Sequence, residues 1–385
     1  MRIERGRVAA IGVRKPPGGR LVDLGDALIL PGLVNAHTHL EFSGLPAPFP
    51  PSGGLPEWIA RVVAWRRERD AAPSAATARA TAIARGLAES AAAGVTAVGG
   101  IATATPAAIT GPRPRVRAFR EAIGLSPAGA DAAWRAVRGD LSRGRVHGIS
   151  PHAPYTVTAS LAATLVAEAR RRRVPLAMHV AETAAEEELL VHGTGPMRRL
   201  LEDLGAWRPA APPRLLPAAD WIGWLARAAR GLVIHGTRLP EMPAAFDRLA
   251  RHRDRLAVVV CPRTALALAD TLPPVGAFHA AGLRVALGTD GRSSAPDLSL
   301  LAECRTLVDR GGIAPATALA MATRDGGWAL MLEDRCGRLA AGLPADLVVL
   351  RPRSAGPDPW EAAVAPDTVV EATLRGGRVI AGRIG

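Results

Sequence analysis

Eight short apolar runs recur along the chain, at residues 30–36, 95–101, 116–123, 146–151, 176–181, 232–236, 257–261 and 285–289. Most are followed by a stretch of helical character, rich in Ala and Arg, such as 160–172. A strand followed by a helix before the next strand returns to the sheet in parallel. Eight such units fit a closed α/β barrel of the (β/α)8, TIM-like kind better than an open sheet. The 385 residues suffice for that barrel and a smaller satellite.

Both ends break the pattern. Residues 1–29 read as short strands and turns, with a Pro- and Gly-rich break at 16–19. Near the other end, ADLVVLRP and TVVEATLRGGRVIAG repeat that style. We therefore expect a small β-sandwich assembled from both termini, 1–29 and 339–385, with the barrel occupying 30–338. The Pro- and Gly-rich segments 43–56 and 207–218 are expected as loops near the barrel mouth.

The formal net charge is +13, and Lys15 is the only lysine. No basic stretch is interleaved with aromatics, and the longest run, Arg170 to Arg173, closes an expected helix where it suits the dipole. Nucleic acid is therefore not an expected partner. No apolar run reaches membrane-spanning length, and no leader peptide is recognisable. Cys261, Cys304 and Cys336 are far apart and form no CxxC pair, as suits a reducing compartment. The expectation is a soluble cytoplasmic protein with a small-molecule substrate and no membrane partner; a homo-oligomer is compatible with this. No Walker loop, no GxGxxG after the first strand, no GxSxG elbow and no HxE…PCxxC pattern is present.

The chemistry is concentrated at one end of the apolar runs. His37 and His39, in NAHTHLEFSG, follow the first run at i and i+2, so a continuing strand points both imidazoles the same way. His179 (PLAMHVAET), His235 (GLVIHGTRL), His152 (VHGISPHAPYT) and Asp290 (VALGTDGRSS) each close another run. In a barrel that end carries the active site. Buried imidazoles and a carboxylate are costly without partners, so their convergence implies a divalent metal. His147, His192, His252 and His279 lie elsewhere in their elements and are expected to be structural or solvated. Glu182 stands three residues after His179, placed to reach the pocket without ligating. A metal-bound water has its pKa lowered towards neutrality, and a nearby Glu can carry its proton to the leaving group. The acidic run Glu186, Glu187 and Glu188 is expected to open a solvated helix, and Cys261 to be a buried structural thiol.

These motifs together resemble the amidohydrolase superfamily over essentially the whole chain, including GRLAAGLPADLVVL on the return to the sandwich. His179-x-x-Glu182, His235 and Thr289-Asp290 resemble its mononuclear deaminase and chlorohydrolase branch. No bridging lysine is available after the fourth strand; His152 occupies that region. The resemblance implies one zinc or iron ion on His37, His39, His179 and Asp290. It also implies Glu182 as proton shuttle, His235 and Asp290 orienting and deprotonating the water, and His152 as a substrate-binding residue. HLEFSG followed by LPEWIARVVAWRR is most similar to the aminodeoxyfutalosine deaminases of an alternative menaquinone pathway. Relatives of the homocysteine type carry a ribose-binding Glu near Arg66 or Arg67, and many have Asn where Ala265 stands here.

The expected function is an aminohydrolase in which metal-bound hydroxide attacks an amidine-like ring carbon and ammonia leaves, with aminodeoxyfutalosine the favoured substrate. Arg66 and Arg67 lie about 100° apart on a helix, so one of them is expected to face the pocket and bind the substrate carboxylate. Alternatives are guanine, S-adenosylhomocysteine or methylthioadenosine, a triazine or an amide as substrate, or a catalytically silent barrel serving as a binding module.

Overall fold

The computed structural model describes residues 1–12, 19–107, 110–208, 212–353 and 358–384. The break expected at 16–19 lies largely outside the described residues, as do residues 209–211 of the second expected loop. A hairpin, β1 (Arg2–Glu4) and β2 (Arg7–Ala10), is followed by β3 (Leu28–Pro31). Eight parallel strands come next: β4 (Leu33–Thr38), β5 (Val95–Ala102), β6 (Arg115–Ala122), β7 (Gly148–Pro151), β8 (Leu176–Val180), β9 (Gly231–His235), β10 (Leu256–Val260) and β11 (Arg284–Leu287). They pair in sequence order, and a parallel bridge between Thr38 and Asp290 joins the last to the first. All eight expected strands are present, and the sheet is the barrel. The first six helices are α1 (Gly54–Ala71), α2 (Ala75–Ala92), α3 (Pro127–Ser142), α4 (Ala159–Arg172), α5 (Ala184–His192) and α6 (Gly195–Asp203).

The remaining strands are β12 (Leu347–Arg351), β13 (Val369–Arg375) and β14 (Arg378–Gly382). They form an antiparallel sheet in the order β14-β13-β12-β3, so both ends of the chain do build one small β unit. The run expected as a single strand at 30–36 is in fact two. Leu28–Pro31 pairs antiparallel with β12, whereas from Leu33 the chain pairs in parallel with β5. Gly32 makes the crossing: its N–H donates to Asp346 O at 2.9 Å, and a Cβ there would lie 2.2 Å from Thr96 Cγ2.

Strand alternation separates two cores. Outward-facing Val98, Ile149, Leu176, Val258 and Val285 pack under the helices with Leu87, Leu165, Trp221 and Phe278. Inward-facing Ala97, Phe119, Ala177, Ile234, Val259 and Ala286 fill the barrel, which Ala329, Leu330 and Leu332 plug from its N-terminal end. Arg117 fastens the plug, donating to Leu330 O at 2.9 Å and Met331 O at 3.0 Å. The interior is thus filled below, and the opposite mouth is left for chemistry.

Two adjacent glycines of β5 test this division. A Cβ on Gly99 would meet Ala36 O at 2.4 Å and Leu330 Cδ2 at 2.7 Å, inside the barrel. One on Gly100 would meet only Leu40 Cδ1 and Val116 Cγ1, both at 3.8 Å. Gly99→Ala is expected to destabilise by about 1–3 kcal/mol through overpacking, seen as a lowered thermal midpoint, while Gly100→Ala stays close to the wild type. Equal midpoints for the two variants would contradict the inward and outward assignment.

Candidate metal centre and active site

The seam between β4 and β11 sets the site. Asn35 Nδ2 donates to Thr289 Oγ1 at 2.8 Å, and Asn35 Oδ1 accepts from the N–H of Thr289 at 3.2 Å and of His37 at 3.3 Å. One buried side chain thereby ties the two strand ends together just below His37, His39 and Asp290. Asp290 itself is in the left-handed region, at φ 55°. That turn aims its carboxylate back across the barrel, with Oδ1 at 3.4 Å from His37 Nε2 and 3.7 Å from His39 Nε2. The other oxygen, Oδ2, accepts from Ser294 Oγ at 2.7 Å, which also meets Thr264 Oγ1 at 2.9 Å. That bond leaves Oδ1 for the site.

Two further strands complete the cluster. His179, at the end of β8, has its Nδ1 at 2.9 Å from His152 O, so Nδ1–H donates there and Nε2 carries the lone pair into the site. His179 Nε2 lies 3.4 Å from His39 Nε2. His235 ends β9 at φ 65°, which turns its ring inward. One ligand atom each from His37, His179, His235 and Asp290 fall within 4.8 Å of one another. The expected quartet had His39 in place of His235; the geometry brings all five residues together. Both ring nitrogens of His37, and Nδ1 of His39, are buried without a hydrogen-bond partner. Burial holds His39 and His179 below the ordinary histidine range and pushes His235 down to about 4, against the nearby Asp290. Burial also pushes the Asp290 carboxyl up, but the neighbouring His37, His39 and His235 outweigh this and hold it well below the ordinary carboxylate range. Neutral imidazoles around one carboxylate, with nitrogens left unpaired in a dry interior, fit a divalent transition ion.

Glu182 projects into the same space, with Oε1 at 3.5 Å from His235 Nε2. Burial, with Asp290 and Glu186 adding to it, raises its carboxyl well above the ordinary range, as a proton carrier requires. His152 lines the cavity, its Nδ1 held at 2.9 Å from Thr156 Oγ1, and burial beside Arg66 pushes it down to about 3.

The cavity above the cluster is walled mainly by apolar side chains. Trp58, Ile59, Val62 and Val63 come from α1, Leu200 and Leu201 from α6, and Leu204, Ile123, Leu125 and Tyr155 complete the wall. On α1, positions 55, 58, 59, 62, 63 and 66 share this face. Arg66 therefore lines the cavity, whereas Arg67, about 100° further round, is exposed and does not reach it. Arg66 is not unpaired. Its Nη2 donates to Glu41 Oε1 at 2.7 Å, and Glu41 Oε2 accepts from Arg69 Nη1 at 2.7 Å and Thr103 Oγ1 at 3.2 Å. Arg66 Nε is buried with no partner.

Three carboxyls near the site, Glu41, Glu121 and Glu186, are buried without the sequence pattern marking them so. Glu41 sits inside the HLEFSG motif, yet nothing in its spacing marks it as the partner of two arginines. Glu121 ends β6 on the inward parity of Arg117 and Phe119, with Oε1 buried and unbonded. Glu186, expected on a solvated helix face, is instead 1% exposed and accepts from the N–H groups of Ala181 at 3.0 Å and Glu182 at 2.9 Å. The signal available was Thr183-x-x-Glu186, the spacing of a capping box at a helix start. Glu187 and Glu188 are only partly buried, and His147, His192, His252 and His279 stay out of the site. Cys261 is buried and free, as expected. Among the described residues, no helix is long and apolar enough to cross a membrane.

Known proteins resemble this chain along most of its length. The 5-methylthioadenosine/S-adenosylhomocysteine deaminase of Nitratidesulfovibrio vulgaris (strain Hildenborough) is 31% identical over 384 residues, covering 93% of this chain and 80% of the relative. The adenosine deaminase of Xanthomonas campestris, solved with bound zinc, superposes with a TM-score of 0.67 at 25% identity, over 92% of this chain and 80% of that one. The aminofutalosine deaminase of Helicobacter pylori, solved with methylthio-coformycin, shares the fold with a TM-score of 0.74 at 24% identity, over 92% and 87% of the two chains. Residues 28–380 match the profile of the amidohydrolase family, which spans both the barrel and the sheet that joins the two termini. With that match, and with a relative aligned along nearly its whole length, the chain belongs to the amidohydrolase family.

Proposed function

We propose that this protein is a metal-dependent aminohydrolase that deaminates a purine-type nucleoside, with aminodeoxyfutalosine as the favoured substrate. The observation that carries the reading is Glu182, largely buried and 3.5 Å from His235, set against the convergence of His37, His179, His235 and Asp290 with His39 beside them. One divalent ion, zinc or iron, held by His37, His39, His179 and Asp290 would supply Lewis acidity and a water of lowered pKa. His235 and Asp290 orient the attacking water and accept its proton. Glu182 gives its proton to the ring nitrogen, takes up the second water proton from the hydroxyl now on the ring carbon and hands it to the departing amine, and the proton held by His235 and Asp290 then restores Glu182. Water oxygen bonds to the ring carbon, the carbon–nitrogen bond breaks, and ammonia leaves. His152, neutral and held by Thr156, faces the base.

The apolar wall of Trp58, Ile59, Val62, Leu200 and Leu204 suits a nucleoside whose sugar carries an apolar or aromatic group. Arg66 brings to that wall a guanidinium with an unpartnered Nε, suited to a carboxylate. Its existing bond to Glu41 favours a second reading, an uncharged thioether such as 5-methylthioadenosine, in line with the name of the N. vulgaris relative.

Metal removal tests the centre. A strong chelator should abolish turnover, and zinc or iron should restore it. His39→Ala and His179→Ala should each lose the metal, whereas His235→Ala should keep it and lose turnover. A His235→Ala protein without metal, beside a metal-replete His39→Ala, would exchange the two roles.

Glu182→Gln keeps the size and removes the proton carrier. Retained metal with turnover lowered about a hundredfold or more is the expected result. Near-normal turnover would remove Glu182 from the reaction.

Substrate choice is read from kcat/KM on adenosine, 5-methylthioadenosine, S-adenosylhomocysteine and aminodeoxyfutalosine. The benzoate-bearing nucleoside should exceed adenosine by on the order of a hundredfold, about 3 kcal/mol. Arg66→Ala should shrink that margin while Arg67→Ala leaves it. A preference for 5-methylthioadenosine, untouched by Arg66→Ala, would select the second reading.

A further inference from the structure

The turn that carries Glu182 is an unusual piece of backbone. Strand β8 ends at Val180, and Ala181 follows in the left-handed region at φ 56°. For a residue with a Cβ that conformation is strained. It brings the N–H groups of Ala181 and Glu182 to one side, where Glu186 Oε1 accepts the first at 3.0 Å and Oε2 the second at 2.9 Å. Glu186 is the third residue of α5, which Thr183 precedes without any side-chain capping bond. In an ordinary capping box that Glu reaches back to the N–H of the residue before the helix. Here it reaches one and two residues further, and spends both oxygens on the turn.

We propose that Glu186 is a positioning residue for the deamination. Its carboxylate clamps the backbone at Ala181 and Glu182, and so fixes the Glu182 carboxyl over His235. The inference rests on the role given above to Glu182. Four residues on from Glu182, Glu186 does not line the cavity and touches neither the substrate space nor the metal cluster. Two features tie it to the reaction rather than to stability alone. The two N–H groups it holds belong to the catalytic residue and its immediate neighbour. The anchoring is bidentate, which fixes the direction of the turn as well as its place. A neutral amide cannot do the same: Gln offers one acceptor oxygen, and its NH2 would face an N–H. Displacement of a reacting group by about 1 Å costs on the order of a hundredfold in rate.

The test is a double-substitution cycle on the metal-loaded enzyme, using the nucleoside that the wild type turns over best. Glu186→Gln should lower kcat by about ten- to a hundredfold, with KM and metal content close to wild type. In a Glu182→Gln background the same substitution should cost less than about threefold, because a residue that acts through Glu182 has nothing left to position. If Glu186→Gln fails to accumulate folded, Glu186→Asp, which keeps the charge but is too short to span both N–H groups, carries the same cycle. A kcat within twofold of wild type, or a loss that multiplies fully with that of Glu182→Gln, would overturn the proposal. Near-normal turnover of Glu182→Gln by itself would instead remove the mechanism on which the proposal stands.

Discussion

The bridge between Thr38 and Asp290 closes the barrel, and the same few residues hold the metal-ligand candidates at their separation. An open sheet of eight strands has two edges with unpaired N–H and C=O groups, which must find partners when buried. Here the edges find each other, and Asn35 supplies both a donor and an acceptor across the join. His37, His39 and Asp290 stand directly above it, so their spacing is fixed by backbone pairing rather than by their own contacts. Barrel closure and site assembly are in this sense one event.

The mouth of the barrel keeps its polar groups in two ways. Around the cluster, burial holds His179 and His235 below the ordinary histidine range and the surrounding histidines hold Asp290 below the ordinary carboxylate range, so these groups give up their protons readily to an incoming cation. On the side of α1, charge is instead cancelled within the protein: Glu41 takes Arg66 and Arg69 together, and burial pushing its carboxyl up is outweighed by the two guanidinium groups. The second arrangement limits what Arg66 can offer a ligand. A guanidinium already sharing a buried carboxylate attracts a further anion less than an unpaired one does, although it retains its directionality.

The fold was legible because its signal is repeated: eight apolar runs of strand length, spaced by helical stretches, leave few alternatives. The convergence at the barrel mouth was legible because strand ends are easy to place, and His37, His179, His235 and Asp290 each close an apolar run, although the expected ligand set held His39 where the geometry groups His235. What stayed hidden depends on turns and on helix phase. The split at Gly32 could not be seen, since Leu28–Pro31 and Leu33–Thr38 are equally apolar and differ only in which sheet they join. Arg66 and Arg67 were inseparable until α1 was given a rotation. Glu186 was lost among its neighbours because an acidic run at a helix start looks the same whether it meets water or backbone N–H groups.

The pairing of β3 with β12 has a consequence for how the chain is made. The two strands lie at residues 28–31 and 347–351, so they meet only after the long stretch between them has left the ribosome. At roughly 5–20 residues per second, β3 waits on the order of 15 to 60 seconds for its partner. The seam at Thr38 likewise waits for Asp290. Until Asp290 arrives the first barrel strand presents an open edge, apolar and pairing-competent, beside growing parallel neighbours. Asp290 closes the barrel edge, and β12 then acts as the latch that fixes β3 outside it.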